Sequence, residues 1–314
     1  MAKNNALMQS LSDFRIFYNH SIFPELSNLE RRRRRLLWLF AGTIVGVFGV
    51  ILVQFWLSEL LFSLILLIPT VIYGFWLYGQ VDIWKKEFKP RIVGLVLDFI
   101  DNDVNYGELK YVEDSGIGPD WFFRSCLFAC NPVEYFSEDH ITGTIREMPF
   151  EVCELLVNEM SATRSQLDTV FRGTLLMGEY NFEMHGKILL LPDHQRPYAT
   201  RTMKQFTRLG GRRREKNLLP EFEEVFDTYA TDDANVARTL SPDMQRAILK
   251  FQKNTGKDIY VSLIENRLFV AVTQPKDLLE PVLFRNIVSF ELVYEFFQDL
   301  HLLFSVVEDV DALN

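Results

Sequence analysis

Residues 36–79 read LLWLFAGTIVGVFGVILVQFWLSELLFSLILLIPTVIYGFWLYG. Between Arg35 and Asp82 lie 46 residues, of which Glu59 is the one charged residue. A bilayer core about 30 Å thick is crossed by about 20 helical residues, so this stretch is long enough to cross twice. The two predicted spans are residues 36–56 and 60–79, joined by a short turn. The sequence therefore predicts a transmembrane helical hairpin.

The residues that flank the stretch predict its orientation. Aromatic side chains stand near the expected interfaces, where their amphipathic rings favour headgroup depth. They are Trp38, Phe55, Trp56, Tyr73, Trp76 and Tyr78. Basic residues lie before the first span and after the second, and the turn has none; they are Arg31–Arg35, Lys85, Lys86, Lys89 and Arg91. The positive-inside rule then places both termini in the cytoplasm.

Small residues recur on one face of the first span, at Gly42, Gly46 and Gly49. Such a face lets another helix backbone approach closely. The partner helix is either the second span or a second copy of the chain, and the sequence leaves both open. Neither span carries an ionisable residue at mid-depth, the usual mark of an ion or proton pathway. We therefore interpret the hairpin as an anchor, which leaves function to residues 80–314.

Four segments are expected along the chain. They are an amphipathic and basic amino-terminal segment at 1–35, the hairpin at 36–79, a juxtamembrane helix and linker at 80–134, and a cytoplasmic domain at 135–314. In the first segment, apolar residues at helical spacing predict a helix over 7–23 that ends at Pro24. In the third, the second span continues as a helix to about Asn102.

From about residue 135 the pattern changes to alternation and to β-branched or aromatic runs. The predicted strands are 140–148, 150–158, 168–177, 187–191, 222–230, 258–264 and 267–273, with a hairpin turn at Glu265-Asn266. One helix has Ser241 as N-cap, Pro242 in its first turn and Gly256 as its stop. A last helix is expected over 286–303. Because most strands follow one another without intervening helices, we expect an α+β fold with a mostly antiparallel sheet and flanking helices.

Charge is unevenly distributed along the chain. The whole protein has a net charge of −9, yet residues 196–216 are strongly basic. The basic residues considered as contacts are Arg201, Lys204, Arg208, Arg212, Arg213 and Arg214. The segment is a solvated loop, a surface for anionic lipid headgroups, or a contact for an acidic partner protein. A nucleic-acid partner is disfavoured, because aromatic residues hardly interleave with the basic ones and the pI is about 5.2.

Motifs for catalysis, metals and cofactors are missing. The five histidines have no second ligand at metal spacing, and the chain contains no nucleophile elbow, P-loop or dinucleotide fingerprint. Cys126, Cys130 and Cys153 lie in apolar surroundings typical of buried thiols. Glu138-Asp139-His140 is the one dense titratable cluster, and we interpret it as a surface turn rather than an acid–base site. We expect no metal and no cofactor.

The order of these pieces resembles a bacterial membrane-protein family catalogued as domain of unknown function 3137. The resemblance rests on the hairpin and on short motifs spread over the chain. These are Phe88-Lys89, Tyr106, Ser125, Tyr135, Glu138-Asp139-x-Ile141-x-Gly143, Phe171-Arg172-Gly173, Phe182, Leu189-Leu190-Leu191-Pro192, Tyr229, Asp232-Asp233, Ala237-Arg238, Leu240-Ser241-Pro242, Asp258–Ser262, Arg267–Ala271 and Asp277–Pro281. It implies a bacterial inner-membrane protein of unassigned activity and a LemA-type membrane protein as partner, and it supplies no catalytic residue.

Four hypotheses follow. The leading one is a membrane-anchored, non-enzymatic binding or scaffold protein that engages a protein at or near the membrane; a homo-oligomer is also open. The second is an anionic-lipid headgroup module that uses the basic segment 196–216. The third is an enzyme with an unfamiliar site around Glu138 and Asp139. The fourth is a hairpin protein that is exported into the membranes of another cell.

Overall fold

The structure, a computed structural model, describes residues 12–57, 60–103, 105–161, 163–179, 185–193, 197–213, 218–274, 281 and 283–311. The chain divides into two compact units. One falls within Met1–Phe99 and Leu279–Tyr294 and is called the helical unit here. The other falls within Ile100–Leu278 and Glu295–Asn314 and is called the sheet unit.

The helical unit begins with a long helix that is described from Ser12 onwards and continues as α1, Phe23–Leu57. The prediction of a helix that ends at Pro24 is wrong. One turn, Tyr18–Ile22, is a π-helix, in which the Phe23 N–H donates to the carbonyl of Tyr18 five residues back. A proline lacks an N–H and its ring displaces the carbonyl four residues earlier. The wider turn just before Pro24 absorbs both effects, so the helix continues.

Helix α2, Leu60–Asp101, passes through Pro69 and Pro90 and confirms the helix predicted to end near Asn102. Both long helices carry a stripe of buried side chains at spacings of three and four residues. The stripes are Phe14, Tyr18, Ile22, Leu26 and Leu29 on the first helix, and Trp84, Phe88, Ile92 and Val96 on α2. These stripes form the core of the helical unit.

The contacts between the two long helices show that the helices run in opposite directions. The rings of Phe14 and Phe99 lie 5.2 Å apart. The indole N–H of Trp84 donates to the Leu29 carbonyl at 3.1 Å. Two ion pairs follow the same order, Glu25 with Arg91 at 3.2 Å and Arg32 with Glu87 at 2.6 Å. From the Phe14–Phe99 contact through Glu25–Arg91 to Arg32–Glu87, the residue number rises along the first helix and falls along α2, so these parts of the helices are antiparallel.

A buried ion pair ties a carboxyl-terminal segment to α1. Glu30 and Arg33 are about 5% and 6% exposed and are joined at 2.7 Å. Arg33 Nη1 also donates to the Leu283 carbonyl at 2.7 Å, and the Ile287 amide donates to Glu30 at 3.4 Å. Burial alone would raise the pKa of Glu30, but hydrogen bonds from Arg33, Arg34 and Ile287 bring that pKa below its usual value. Part of the arginine run is therefore structural.

In the sheet unit, nine strands of the described chain form one antiparallel sheet. They are β1 Tyr106–Val112, β2 Pro132–Ile145, β3 Met148–Met160, β4 Leu167–Glu179, β5 Lys187–Pro192, β6 Arg212–Arg213, β7 Phe226–Ala230, β8 Ile259–Ile264 and β9 Arg267–Thr273. Their order is β1-β2-β3-β4-β9-β8-β5-β7-β6. The expected α+β class with a large antiparallel sheet is confirmed.

Strand β1 lies in the segment 80–134 that was assigned to a helix and linker, and its pattern was missed. Its register with β2 shifts between Gly107 and Lys110, where Glu108 has a φ of 54°. A bulge of this kind interrupts the alternation by which a strand is recognised. Strand β2 also starts earlier than expected, at Pro132. The sheet therefore takes residues from both sides of the boundary drawn at residue 135.

Five further helices lie in the described part of the sheet unit, ahead of the last helix of the chain. They are α3 Pro119–Arg124, α4 Pro197–Arg208, α5 Pro220–Glu223, α6 Val236–Thr239 and α7 Pro242–Thr255. The caps expected for α7 are confirmed: the Met244 amide donates to Ser241 Oγ, and Gly256 is left-handed with a φ of 65°. The predicted strand over 222–230 is shorter in the structure, because α5 occupies its first residues.

The last helix, α8, spans Phe290–Asp311 rather than 286–303. It begins at Phe290 because Ser289 caps it, its hydroxyl accepting a hydrogen bond from the Leu292 amide at 3.4 Å. Within the sheet unit, its Phe304 packs on the ring of Phe150 at 4.8 Å. The tight turn predicted at Glu265-Asn266 is confirmed between β8 and β9, where Ile264 pairs with Arg267.

The sheet has two covered faces. Alternate residues of β3, namely Cys153, Leu155 and Val157, belong to a core that also holds Phe122 from α3 and Phe206 from α4. Residues of β3 that point to the other face of the sheet, such as Phe150, pack against α8. Successive side chains of a strand point to opposite faces of the sheet, and here both faces are buried. Consecutive residues of β4, β5, β8 and β9 are therefore apolar.

In the part of the chain that the structure describes, one helix, Ser12–Trp56, is long and apolar enough by length and composition to cross a membrane. Large apolar side chains along α1 and the first half of α2 are exposed to an unusual degree. Trp56 is 90% and Phe75 is 74% exposed. Soluble surfaces rarely display so continuous an apolar stretch, and it is typical of contact with lipid.

Candidate functional site

The acidic cluster singled out in the sequence gains a third carboxylate in the structure. A bulge in β2 gives Asp139 a φ of 57°. The carboxylates of Glu138, Asp139 and Glu154 then lie within 4.8 Å of one another. Glu154 comes from the neighbouring strand β3, opposite Glu138, and is 7% exposed. Carboxylate oxygens are the ligands that hard divalent cations prefer, so the cluster has the donor type of a cation site without further features of one.

Hydrogen bonds position the side chains around this cluster. The Tyr111 hydroxyl donates to Asp139 at 2.5 Å. Burial, together with the adjacent carboxylates, raises the pKa of Tyr111. His140 lies against Glu151 at 3.0 Å and Ser115 at 3.3 Å, and its hydrogen bond lowers the pKa of Glu151. His140 is thus committed to Glu151.

In the described residues of the basic segment 196–216, Pro197–Arg208 form helix α4 and Arg212–Arg213 form strand β6. Arg201 on α4 donates two hydrogen bonds to Glu159, and Arg213 on β6 pairs with Asp227 at 2.6 Å. Arg212 lies 3.8 Å from Asp232. The acidic partners come from β3, β7 and the residues after β7, so the sequence alone did not reveal these pairs.

Two of the basic residues keep their charge exposed. Lys204 and Arg208 lie on the outer face of α4, with no ion pair among the described residues. The inner face of α4 buries Thr202 and Phe206. Arg214 lies outside the described residues. The structure therefore does not gather the six candidate contacts into one unpaired cationic surface.

The glycines of the predicted packing face lie on the exposed apolar part of α1. A Cβ atom added at Gly42, Gly46 or Gly49 meets no heavy atom within 4 Å beyond the helix itself, among the described residues. The same holds for Gly74 on α2. The face is open in the single chain.

All three cysteines are free thiols in the sheet unit. Burial raises the pKa of Cys126, and it raises the pKa of both Cys130 and Cys153 to about 11. Thiols with pKa values this high are protonated at neutral pH and are poor nucleophiles. The expectation of a buried thiol is confirmed at Cys153, whereas Cys126 and Cys130 are half-buried.

A pocket of about 180 Å³ lies between α3, the start of β5 and the β8–β9 hairpin. Trp121 and Arg124 reach it from α3, and Lys187 reaches it from β5. The pocket was not predicted, since its walls come from segments that are distant along the chain.

One wall of this pocket is formed by an aromatic ring and two arginines. The guanidinium of Arg267 stacks 3.9 Å from the ring centre of Trp121, and that of Arg124 lies 5.0 Å from it. Arg267 also pairs with Glu179 at 2.9 Å, and Asn266 donates to the same carboxylate at 3.2 Å. These contacts fix Arg267 and Trp121 against each other.

Residues 169–312 match the family model described as "Protein of unknown function (DUF3137)". Over these residues, which make up less than half of the chain, the protein is similar to the DUF3137 family. The resemblance drawn from the sequence is confirmed there, while the DUF3137 motifs quoted before residue 169 remain a prediction. The matched region begins in β4, so it holds Lys187 and Arg267 of the pocket and excludes Trp121 and Arg124.

A search of curated proteins finds no match. Among solved structures, the chain is similar to the "crystal structure of the mycobacterial trehalose monomycolate transport factor A, TtfA", with 11% sequence identity and a TM-score of 0.31. The alignment covers 62% of this chain and 88% of that chain. Similarity at that level carries no argument about fold or function.

Proposed function

We propose that this chain is a two-pass membrane protein whose sheet unit lies on the cytoplasmic side and binds a partner there without catalysing a reaction. The observation that carries the proposal is the exposed apolar surface that follows both α1 and the first half of α2. Trp38 and Ile44 on α1 are 79% and 68% exposed, and Ile65 and Tyr78 on α2 are 65% and 72% exposed. Exposure of this kind is stable in lipid and costly in water.

A hairpin is supported by the direction of the two helices. Between Glu25 and Arg32 the first helix contacts α2 between Trp84 and Arg91 in antiparallel order. Helix α1 ends at Leu57 and α2 begins at Leu60, so the apolar part of each helix lies on the same side of these contacts. Two antiparallel helices joined over so short a distance cross a bilayer as a pair.

Basic side chains support the cytoplasmic placement of both termini. Arg31, Arg32 and Arg34 precede the first apolar stretch, and Lys85 and Lys86 follow the second. Although Arg33 is buried in an ion pair, Arg32 and Lys86 are more than half exposed. Charges at these positions favour the cytoplasmic side. By the DUF3137 resemblance, the membrane proposed is a bacterial inner membrane.

A binding role is favoured over catalysis by the state of the reactive groups. The thiols have raised pKa values, and His140 is held by Glu151. The partner class that we propose is another membrane protein, with a LemA-type protein or a second copy of this chain as candidates. The open glycine face on α1 gives a second helix a place to approach closely.

A lipid-headgroup role for the basic segment is the second candidate. It is supported by Lys204 and Arg208, which are exposed on α4 and have no ion pair among the described residues. The lipid role is weakened by Arg201, Arg213 and Arg212, because each of them already has an acidic partner. The partners are Glu159, Asp227 and Asp232, respectively. Each basic residue near an anionic surface contributes about 1 kcal/mol, so two residues give modest binding.

The binding role is tested by crosslinking the full-length protein in native membranes and analysing proteins and lipids from one purified sample. A single stoichiometric protein partner supports the proposal. Enrichment of one anionic lipid without a protein, lost in Lys204→Ala/Arg208→Ala and kept in the control Lys250→Ala/Lys253→Ala on α7, overturns it in favour of the lipid role. Turnover of a metabolite by the purified protein contradicts the non-enzymatic part.

A further inference from the structure

The pocket between α3, β5 and the β8–β9 hairpin has no role in the function proposed above. It lies wholly in the sheet unit, so ligand binding there does not depend on membrane anchoring. Its lining carries positive charge from Arg124, Lys187 and Arg267 against one negative charge from Glu265. We propose that this pocket binds a small molecule through one phosphate or carboxylate group, held by Arg124 and Lys187.

The three cations are not equivalent. Arg267 is already neutralised by Glu179 at 2.9 Å and is stacked on Trp121. Neither Arg124 nor Lys187 has an ion pair in the part of the chain that the structure describes. Arg124 contacts the Trp121 ring, at 5.0 Å from its centre. Two cations that line one pocket without an ion pair attract an anion, and a guanidinium can donate two parallel hydrogen bonds to an oxyanion.

The walls strengthen this attraction. The ring of Trp121 and the side chains of Ile264 and Phe269 line the pocket, so charges inside it are only partly screened by water. Burial also raises the pKa of the Cys126 thiol, which shares the pocket with Lys187. The thiol is therefore neutral at physiological pH and does not compete with an anion for the lysine.

The volume limits the ligand. About 180 Å³ corresponds to about six water molecules and is below the range of about 300–1,000 Å³ typical of drug-sized ligands. One phosphate or carboxylate group with a few attached atoms fits this space. Glu265, on the exposed turn between β8 and β9, disfavours highly charged anions and accepts a hydrogen bond from a hydroxyl or ammonium group of the ligand.

Cys126 provides a readout that does not require the natural ligand to be known. Alkylation of the full-length protein in detergent is followed by mass spectrometry with and without inorganic phosphate, at equal ionic strength. With a Kd of about 1 mM, as expected for so small a ligand, about 10 mM phosphate slows alkylation of Cys126 about tenfold. Cys130, which lies outside the pocket, is the internal control and keeps its rate.

Variants separate binding from a general effect on the fold. Arg124→Gln and Lys187→Gln each abolish the protection of Cys126, whereas Lys250→Gln on α7 leaves it intact. Arg124→Lys keeps the positive charge, and we expect phosphate to protect Cys126 partially in this variant. If both Arg124 variants melt at the same temperature as the natural protein, the loss of protection in Arg124→Gln is a loss of phosphate binding. Equal slowing of Cys126 and Cys130 by phosphate, or no slowing of either, overturns the proposal.

A second arm identifies the source of the anionic group. Protein in nanodiscs of phosphatidylglycerol is compared with protein in nanodiscs of phosphatidylcholine, without added phosphate. Protection of Cys126 in phosphatidylglycerol alone assigns the pocket to a lipid headgroup. If neither lipid protects Cys126 but added glycerol phosphate protects it in both kinds of nanodisc, the pocket binds a soluble ligand. Failure of the pocket proposal leaves the two-pass topology untouched, because no residue of the hairpin enters this experiment.

Discussion

At the scale of single residues, Gly173 lies where two strands of the sheet approach each other too closely to leave room for a side chain. It lies in β4 opposite Thr273 of β9, with a φ of 156°. A Cβ atom here would lie 2.0 Å from the carbonyl oxygen of Val272 and 2.8 Å from the amide nitrogen of Gln274. Both are backbone atoms, which cannot rotate away. The glycine of the Phe171-Arg172-Gly173 motif is therefore explained by close approach of two strands.

The substitution Gly173→Ala tests this explanation. The added methyl must push β4 and β9 apart, which costs about 3 kcal/mol or more. In a protein of this size, we expect the Tm to fall by about 10 °C. Thermal melting of the full-length protein in detergent measures it. Gly118→Ala is the matched control, since a Cβ at Gly118 meets nothing within 4 Å; equal Tm values for the two variants would refute the explanation.

At the scale of secondary-structure elements, ion pairs with little exposure join helices to their neighbours. In the sheet unit, Lys257, just after α7, donates to both oxygens of Asp299 on α8 at 2.7 Å, and Gln274 donates to the same carboxylate at 3.1 Å. The side chain of Asp299 is 5% exposed and that of Lys257 is 13% exposed. The carboxylate is thus the more deeply buried partner.

Replacing Lys257 should lower the free energy of unfolding more than neutralising Asp299. Lys257→Met leaves a buried carboxylate without its cation, and we expect a loss of about 3–5 kcal/mol. Asp299→Asn keeps the hydrogen bond from Gln274 and leaves a lysine that reaches water, so its loss is smaller. The Tm values of both variants are compared with that of Lys250→Met, a control at an exposed position of α7, to show which substitution is more destabilising. A Tm for Lys257→Met equal to that of the control contradicts it.

The helical unit should lose stability in acid through Glu30. Its pKa is lowered in the folded protein, so its contribution is fully present above the unfolded value of about 4.5 and is lost as pH falls through the lowered pKa. Hydrogen exchange of residues 283–289 at neutral and at acidic pH measures the effect. Protection should fall with acid in the natural protein, while Glu30→Gln is weakly protected at every pH. The same acid step in Glu30→Gln would contradict this assignment.

At the scale of the whole molecule, the sequence predicts features that depend on neighbouring residues, but it does not predict contacts between segments that are distant along the chain. The apolar stretch, the long strands and the caps of α7 depend on neighbours along the chain, so spacing predicted them. Strand β1 was missed because its bulge breaks the alternation, and α4 was missed because its buried side is narrow, with Thr202 and Phe206. Pairing of β4 with β9 joins residues almost a hundred positions apart, which no local pattern encodes.

The candidate site divides in the same way. Glu138 and Asp139 are adjacent in sequence and were noticed, whereas Glu154 joins them from the next strand. The pocket takes Trp121, Lys187 and Arg267 from three distant segments, and nothing in their local sequences marks them. The ion pairs of the basic segment with Glu159 and Asp227 also depend on tertiary structure, so the sequence overestimated the free positive charge.

The proposed two-pass topology determines where the sheet unit acts, and the accessibility of single cysteines measures it. Single cysteines replace Ser12, Ser58 and Ser165 in a full-length variant whose three natural cysteines are changed to serine or alanine, and intact cells are treated with a membrane-impermeant maleimide. We expect position 58 to be labelled from outside, while positions 12 and 165 react only after permeabilisation. Labelling of position 12 or 165, but not both, in intact cells would show a single crossing and contradict the hairpin.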